Sequence, residues 1–117
     1  MKQINPRTSY SSNCFDSTLE VASENHEASV VHGWLYSDNQ WILHAWCEIG
    51  EEVIDLTETR APIPKNDYYT AMGVTEERLR RYTRLEFFTL FTQEKHYGPF
   101  DKDFFYREIS KRDPLTL

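Results

Sequence analysis

Apolar and polar positions change period several times along this chain, and each change marks an element. Residues 1–12 are polar and turn-rich and read as an N-terminal arm. From Asn13 onward the period is helical. Phe15, Leu19 and Ala22 fall at i, i+4 and i+7, with Cys14, Thr18 and Val21 as a neighbouring stripe. This spacing predicts a helix over about 14–25 with Cys14 in its first turn. Asn13 is the expected N-cap, because its side-chain oxygen can accept a free amide there. The pattern then alternates. Residues 29–36 read as a strand, with His32, Trp34 and Tyr36 on one side and Val31, Gly33 and Leu35 on the other. After a turn at Ser37-Asp38-Asn39, residues 40–49 form a second strand. Ile42, His44, Trp46 and Glu48 share one of its faces; Trp41, Leu43, Ala45 and Cys47 share the reverse. A tight turn at Gly50-Glu51 leads to a third strand over 53–57, with Val53, Asp55 and Thr57 together. One helix and a three-stranded antiparallel meander result.

Pro62-Ile63-Pro64 interrupts the alternation. Lys65 to Met72 reads as a short helix ended by Gly73. Residues 75–82 suit either an exposed helix or an edge strand, since Arg78, Arg80 and Arg81 (with Arg84 beyond) fit both. Thr83 and Glu86 form a capping box for a helix over about 84–95, whose buried face carries Leu85, Phe87, Phe88, Leu90 and Phe91. Asp101 starts a last short helix with Phe104, Phe105 and Ile109, stopped by Pro114. The expected class is α+β, an N-terminal helix packed on an antiparallel sheet. The expected organisation is a single domain over 1–117: an arm to residue 12, the helix and meander over 13–57, and flanking helices over 58–117.

Composition narrows the function. A chain of 117 residues has the size of one domain, and 15% aromatic residues are too many for a disordered one. No apolar run long enough to span a membrane occurs, and Met1-Lys2-Gln3-Ile4-Asn5-Pro6 lacks the apolar core of a secretory signal. The two cysteines, Cys14 and Cys47, make no CxxC, so reduced thiols in a cytoplasm are expected. A net charge of −6 argues against nucleic acid, whose phosphates require a basic face. Residues 1–59 hold 2 basic and 10 acidic side chains, whereas 60–117 hold 11 and 9. That imbalance favours neutral or cationic partners, although solubility alone would account for it.

The chemistry worth testing is acyl transfer by a thiol, which needs an ionised sulfur, a base in reach and a group that orients the base. Cys14 at a helix start would meet free amides and a positive dipole end, which favour the thiolate. His44 lies mid-strand and Asp55 on the next strand. A turn at Gly50-Glu51 pairs positions summing to 101 and sets Asp55 diagonal to His44; a turn at Ile49-Gly50 sums to 99 and sets them opposite. Both sums are odd, so both side chains share a face, at ~7–8 Å or ~5 Å respectively. Cys47 faces the other way, into a core.

His44-Ala45-Trp46-Cys47-Glu48 followed by Asp55-Leu56-Thr57 resembles the HAW-x-E … D-x-T strand pair of the transglutaminase-like branch of the papain-like cysteine superfamily, in which a Cys at a helix start precedes a His strand and then an Asp strand. The resemblance covers about residues 13–57. It implies a papain/transglutaminase-like core with Cys14 as nucleophile, His44 as general base then acid, and Asp55 as the orienting carboxylate. It also implies a protein or peptide substrate and neither a metal nor an organic cofactor. Asn13, Trp34 and Trp46 are the candidates to line a substrate cleft. The Cys14 amide is one candidate oxyanion donor, with a side chain of Gln3, Asn5, Tyr10 or Asn13 as a second. Three other readings compete. One is a catalytically inactive protein-binding module on the same fold, for instance an inhibitor or effector of viral or bacterial origin. Another is a plain structural domain. A third is a zinc site from His32, His44 and a carboxylate, which lacks any recognised ligand spacing. Glu48 either hydrogen-bonds near the site or is solvated, with solvation the favoured reading; the arginine cluster is expected to be a solvated face, with carboxylate or phosphate binding as its alternative.

Overall fold

The computed structural model describes residues 6–57 and 61–106, with side chains from Cys14 onward in its first helix. That helix, α1, runs over Pro6–Glu24. The expected arm over 1–12 and the N-cap at Asn13 are therefore corrected: the chain is already helical through 7–13. Proline suits the first turn, where its missing N–H would have no partner anyway. Serine and asparagine cost only about 0.5 kcal/mol each relative to alanine inside a helix, so a polar run without internal Gly or Pro does not stop one. Cys14, Phe15, Thr18, Val21 and Ala22 form the buried stripe of α1. Its last carbonyls are satisfied from elsewhere. Asn25 Nδ2 donates to Val21 O at 2.8 Å and Arg84 Nε to Ala22 O at 2.6 Å, a cation placed at the negative end of the helix.

Five strands follow: β1 (Ser29–Ser37), β2 (Gln40–Ile49), β3 (Glu52–Ile54), β4 (Ile63–Pro64) and β5 (Leu79–Tyr82). They form one sheet of order β4-β3-β2-β1-β5, with every neighbouring pair antiparallel. The β1–β2 hairpin turns at Asp38 and Asn39, whose positive φ values of 53° and 63° match the twist of the flanking strands. The meander is thus present but sits inside a larger sheet, and the region expected to hold flanking helices, with 75–82 open to an edge strand, contributes two edge strands. Pro64 fits an edge because it has no N–H to donate to a ladder. In β5 the pairing of Leu79 with Gly33 decides for strand over helix.

Helix α2 (Lys65–Met72) ends at Gly73 in the left-handed region, φ 66°. A 3₁₀ turn over Glu76–Arg78 leads into β5. Helix α3 (Arg84–Glu94) carries the reciprocal Thr83–Glu86 capping box. Residues 102–106 are helical, and Asp101 Oδ1 accepts from Phe104 N at 3.2 Å at their start; Ile109 and Pro114 lie outside the described residues.

The sheet is covered on both faces. On one, Val21 and Ala22 of α1 and Phe87 of α3 pack against Val30 and Cys47. On the other, Tyr68 of α2 joins Val31, Leu35, Trp46, Val53, Val74 and Leu79. Gly33 permits the close packing of that second face: a Cβ there would lie 2.8 Å from Leu79 Cβ and 3.1 Å from the Trp46 ring. The class is α+β, with the N-terminal helix packed on an antiparallel sheet. No helix among the described residues is long and apolar enough to cross a membrane.

Candidate active site

Strand β3 pairs only with Cys47, Glu48 and Ile49 of β2. The upstream half of β2, which carries His44, has no β3 neighbour, and α1 and the chain after β3 close in there. The register sums to 101, which sets Asp55 diagonal to His44. Asp55 lies just past the last residue of β3. Its carboxylate reaches the imidazole: Oδ2 is 2.8 Å from His44 Nε2. The same oxygen accepts from the Tyr68 hydroxyl. Oδ1 accepts from the Thr57 amide at 3.2 Å and the Thr57 hydroxyl at 2.9 Å. Every lone-pair direction of Asp55 therefore has a donor, which a buried carboxylate requires.

Cys14 is hydrogen-bonded to the same imidazole. With Nε2 given to Asp55, Nδ1 is the nitrogen left for the sulfur. The three side chains are closed from solvent, with relative exposures of 1% for Cys14, 1% for His44 and 2% for Asp55. A crevice between α1 and the end of β3 is lined by Cys14, Ser17, Thr18, Trp46 and Leu56 and is too tight to hold a water molecule. Tyr97 and Leu43 pack against the cluster of Cys14, Phe15 and Ala45.

The charges are coupled. Burial alone would pull the His44 pKa down, but the hydrogen bonds and charges of Asp55 and Cys14 outweigh it and hold it up, to about 10. Burial acts on Asp55 in the direction of protonation, and the imidazolium, Tyr68 and Thr57 overcome it, keeping the carboxyl below its ordinary value. Both partners shift toward an ion pair. Cys47 behaves in the opposite way. Burial, with Asp55 and Glu48 nearby, pushes its thiol up to about 12, and its Sγ leans on Thr18 O at 3.7 Å.

The structure brings Cys14, His44, Asp55 and Trp46 together and separates the other candidates from them. Trp46 is 1% exposed and stacks on His44 with ring centroids 6.2 Å apart. Trp34 is on the face of β1 opposite that of His44, and its indole N–H donates to Phe105 O at 3.1 Å. The side chains of Asn13 and Tyr10, and Gln3 and Asn5 altogether, lie outside the described residues. Cys14 is the ninth residue of α1, not a first-turn residue. Its amide is therefore committed to the helical ladder, and neither the dipole argument nor an oxyanion role for that amide holds. Glu48 is 4% exposed rather than solvated. Arg81, expected at a solvated face, is bonded to Glu48 and Glu76. His32 and His44 face opposite sides of the sheet, and among the described residues no group of three His, Cys, Asp or Glu side chains is placed to hold a metal ion.

Tyr68 and Thr57 had no assigned role in the sequence. Thr57 is within the quoted D-x-T, and its position two residues after an aspartate allows a local side-chain turn. Tyr68 reaches Asp55 from a separate helix, and no spacing rule signals that.

No family model, curated protein or solved structure matches this chain.

Proposed function

We propose that this chain is a cysteine-dependent acyl-transfer enzyme of the transglutaminase-like kind, acting on a peptide bond or a glutamine carboxamide in a protein or peptide. One observation carries the reading: a buried imidazole bonded on one side to Asp55 at 2.8 Å and on the other to the only cysteine that faces it. The resemblance of residues 44–48 and 55–57 to the HAW-x-E … D-x-T strand pair supports the transglutaminase-like part of the reading. In the forward step the Cys14 sulfur forms a bond to the substrate carbonyl carbon, and His44 holds the proton the sulfur gives up. As the tetrahedral centre collapses, the C–N bond breaks and His44 passes that proton to the departing amine or ammonia. The acyl-thioester is then resolved by water or by an amine, with His44 again taking the attacker's proton. Asp55 fixes the ring and stabilises its charged form.

The test is the pH dependence of iodoacetamide labelling at each thiol, read by mass spectrometry. Cys14 labels well below pH 8, faster than Cys47, and His44→Ala abolishes the preference. Equal, sluggish labelling of both thiols refutes it.

One observation favours a second reading, a catalytically inactive protein-binding module on the same scaffold. Cys14 is 1% exposed and sits mid-helix rather than at a helix start. Under that reading the three residues only hold the core, and no acylated Cys14 accumulates with peptide or glutamine thioester-forming substrates.

A further inference from the structure

A second buried carboxylate lies close to the first. Glu48 is on the same face of β2 as Trp46 and His44, and both its oxygens are engaged. Oε2 accepts from Trp46 Nε1 at 3.1 Å and from the Tyr69 hydroxyl. Oε1 accepts from Arg81 Nε at 2.9 Å and faces Lys65 Nζ at 3.7 Å. Arg81 also grips Glu76 through two bonds of 3.0 Å and donates to the Tyr69 oxygen at 2.8 Å. The network ties β2 to β5 and α2.

Burying a charge this deeply costs several kcal/mol before its partners are counted, and an apolar side chain of similar volume would fill the space at no such cost. What the carboxylate adds is direction. A bond to the indole N–H fixes the rotation of the Trp46 ring. Gly33 supplies the room behind it. The ring is then held 27° from parallel to the His44 imidazole, with the ring centroids 6.2 Å apart.

We propose that Glu48 is a positioning residue: it locks the Trp46 indole across the His44 ring, so that apolar carbon keeps water from the His44–Asp55 hydrogen bond. Its consequence for catalysis rests on the acyl-transfer reading above; its effect on His44 does not.

The experiment therefore reads His44 itself, by NMR titration of ¹⁵N-histidine-labelled protein, with iodoacetamide labelling of Cys14 as a second readout. Glu48→Gln and Trp46→Phe each move the His44 midpoint down, toward its ordinary 6.5, by about half a pH unit or more, roughly a threefold loss of proton affinity. The double variant moves it no further than either single one, because the two residues act through one ring. Trp46→Phe separates the proposal from a plain charge effect, since it leaves the Glu48 charge in place. A shift in Glu48→Gln with none in Trp46→Phe overturns the proposal, and so do additive shifts. A lowered melting temperature with an unmoved His44 midpoint overturns it too, by reducing Glu48 to a structural role. Tyr69→Phe, which removes a single donor to Glu48, is the milder substitute if Glu48→Gln does not fold. If wild-type Cys14 shows no labelling advantage while the midpoints move as stated, the enzyme reading fails and the positioning role stands.

Discussion

Asp55→Asn is the most informative single change at this site. The substitution keeps the shape of the side chain but leaves one oxygen where two accept, Oδ2 from Tyr68 and Oδ1 from Thr57, and it removes the negative charge 2.8 Å from His44 Nε2. The ring is held up to about 10 against an ordinary 6.5, which corresponds to roughly 5 kcal/mol of preference for its protonated form, shared between Asp55 and Cys14. Without the carboxylate, Cys14 alone opposes burial and the His44 midpoint falls from about 10 toward 6.5. The raised pKa also fixes the stability profile. His44 contributes stability that is fully present below pH 6.5 and is lost as pH rises through about 10. Asp55, whose pKa is lowered, contributes stability present above 3.8 and lost as pH falls below its folded value. The melting-temperature gap between wild type and Asp55→Asn is therefore widest between those limits and narrows on both sides. ¹⁵N-histidine titration and thermal melts across pH measure both quantities. Cys14 labelling at neutral pH falls as well, because the imidazole bonded to the sulfur is no longer held in its charged form. A wild-type His44 that titrates near 6.5, or a midpoint indifferent to Asp55→Asn, refutes the coupled site.

Further outcomes follow from the residues around it. His32 is fully buried among Phe15, Tyr82 and Phe100, and neither ring nitrogen has a hydrogen-bond partner among the described residues. Burial, with His96 nearby, lowers its pKa to about 3, so the unfolded chain takes up its proton first as pH falls below 6.5. His32→Phe then removes about 3 kcal/mol of destabilisation at pH 4, seen as a flatter melting temperature on the acid side; an unchanged acid slope refutes it. Gly98→Ala destabilises by more than about 2 kcal/mol in denaturant melts, because φ is 123° and the new Cβ would lie 2.3 Å from His32 Cε1; wild-type stability would contradict that close approach. Tyr97→Ala thins the cover over Cys14 and raises its labelling by a neutral thiol reagent several-fold without changing that of Cys47; equal labelling of wild type and variant shows that Tyr97 is not a barrier.

Strand alternation makes much of this site legible in the sequence. Two-residue periodicity put His44, Trp46 and Glu48 on one face and Cys47 on the other, and the parity of the Gly50-Glu51 turn placed Asp55 with His44, as the pairing shows. The capping box over Thr83–Glu86 and the Gly73 stop were equally readable, because each is a local hydrogen-bonding device. The start of α1 was not, since a run of serines and an asparagine is compatible with both a loop and a helix and carries no breaker after Pro6. Strands β4 and β5 are two and four residues long, too short for a period to register. Their place in the sheet comes from long-range partners such as Gly33 and Glu52. For Glu48 the sequence leaves two readings, a hydrogen bond near the site or plain solvation, and favours the one the structure overturns. The donors that bury it come from positions 65, 69 and 81, and no local pattern connects those to position 48.

The placement of Cys14 halfway along a nineteen-residue helix has a mechanical consequence. A sulfur on a loop or at a frayed terminus can swing out to meet a reactant. One carried on a continuous hydrogen-bonded rod has only its own χ1 to turn, and the stripe of packed neighbours on either side restricts even that. Any access must come from displacement of the roof, and the timing of reaction at this atom would then be set by how often the chain around Leu43 and Tyr97 breathes.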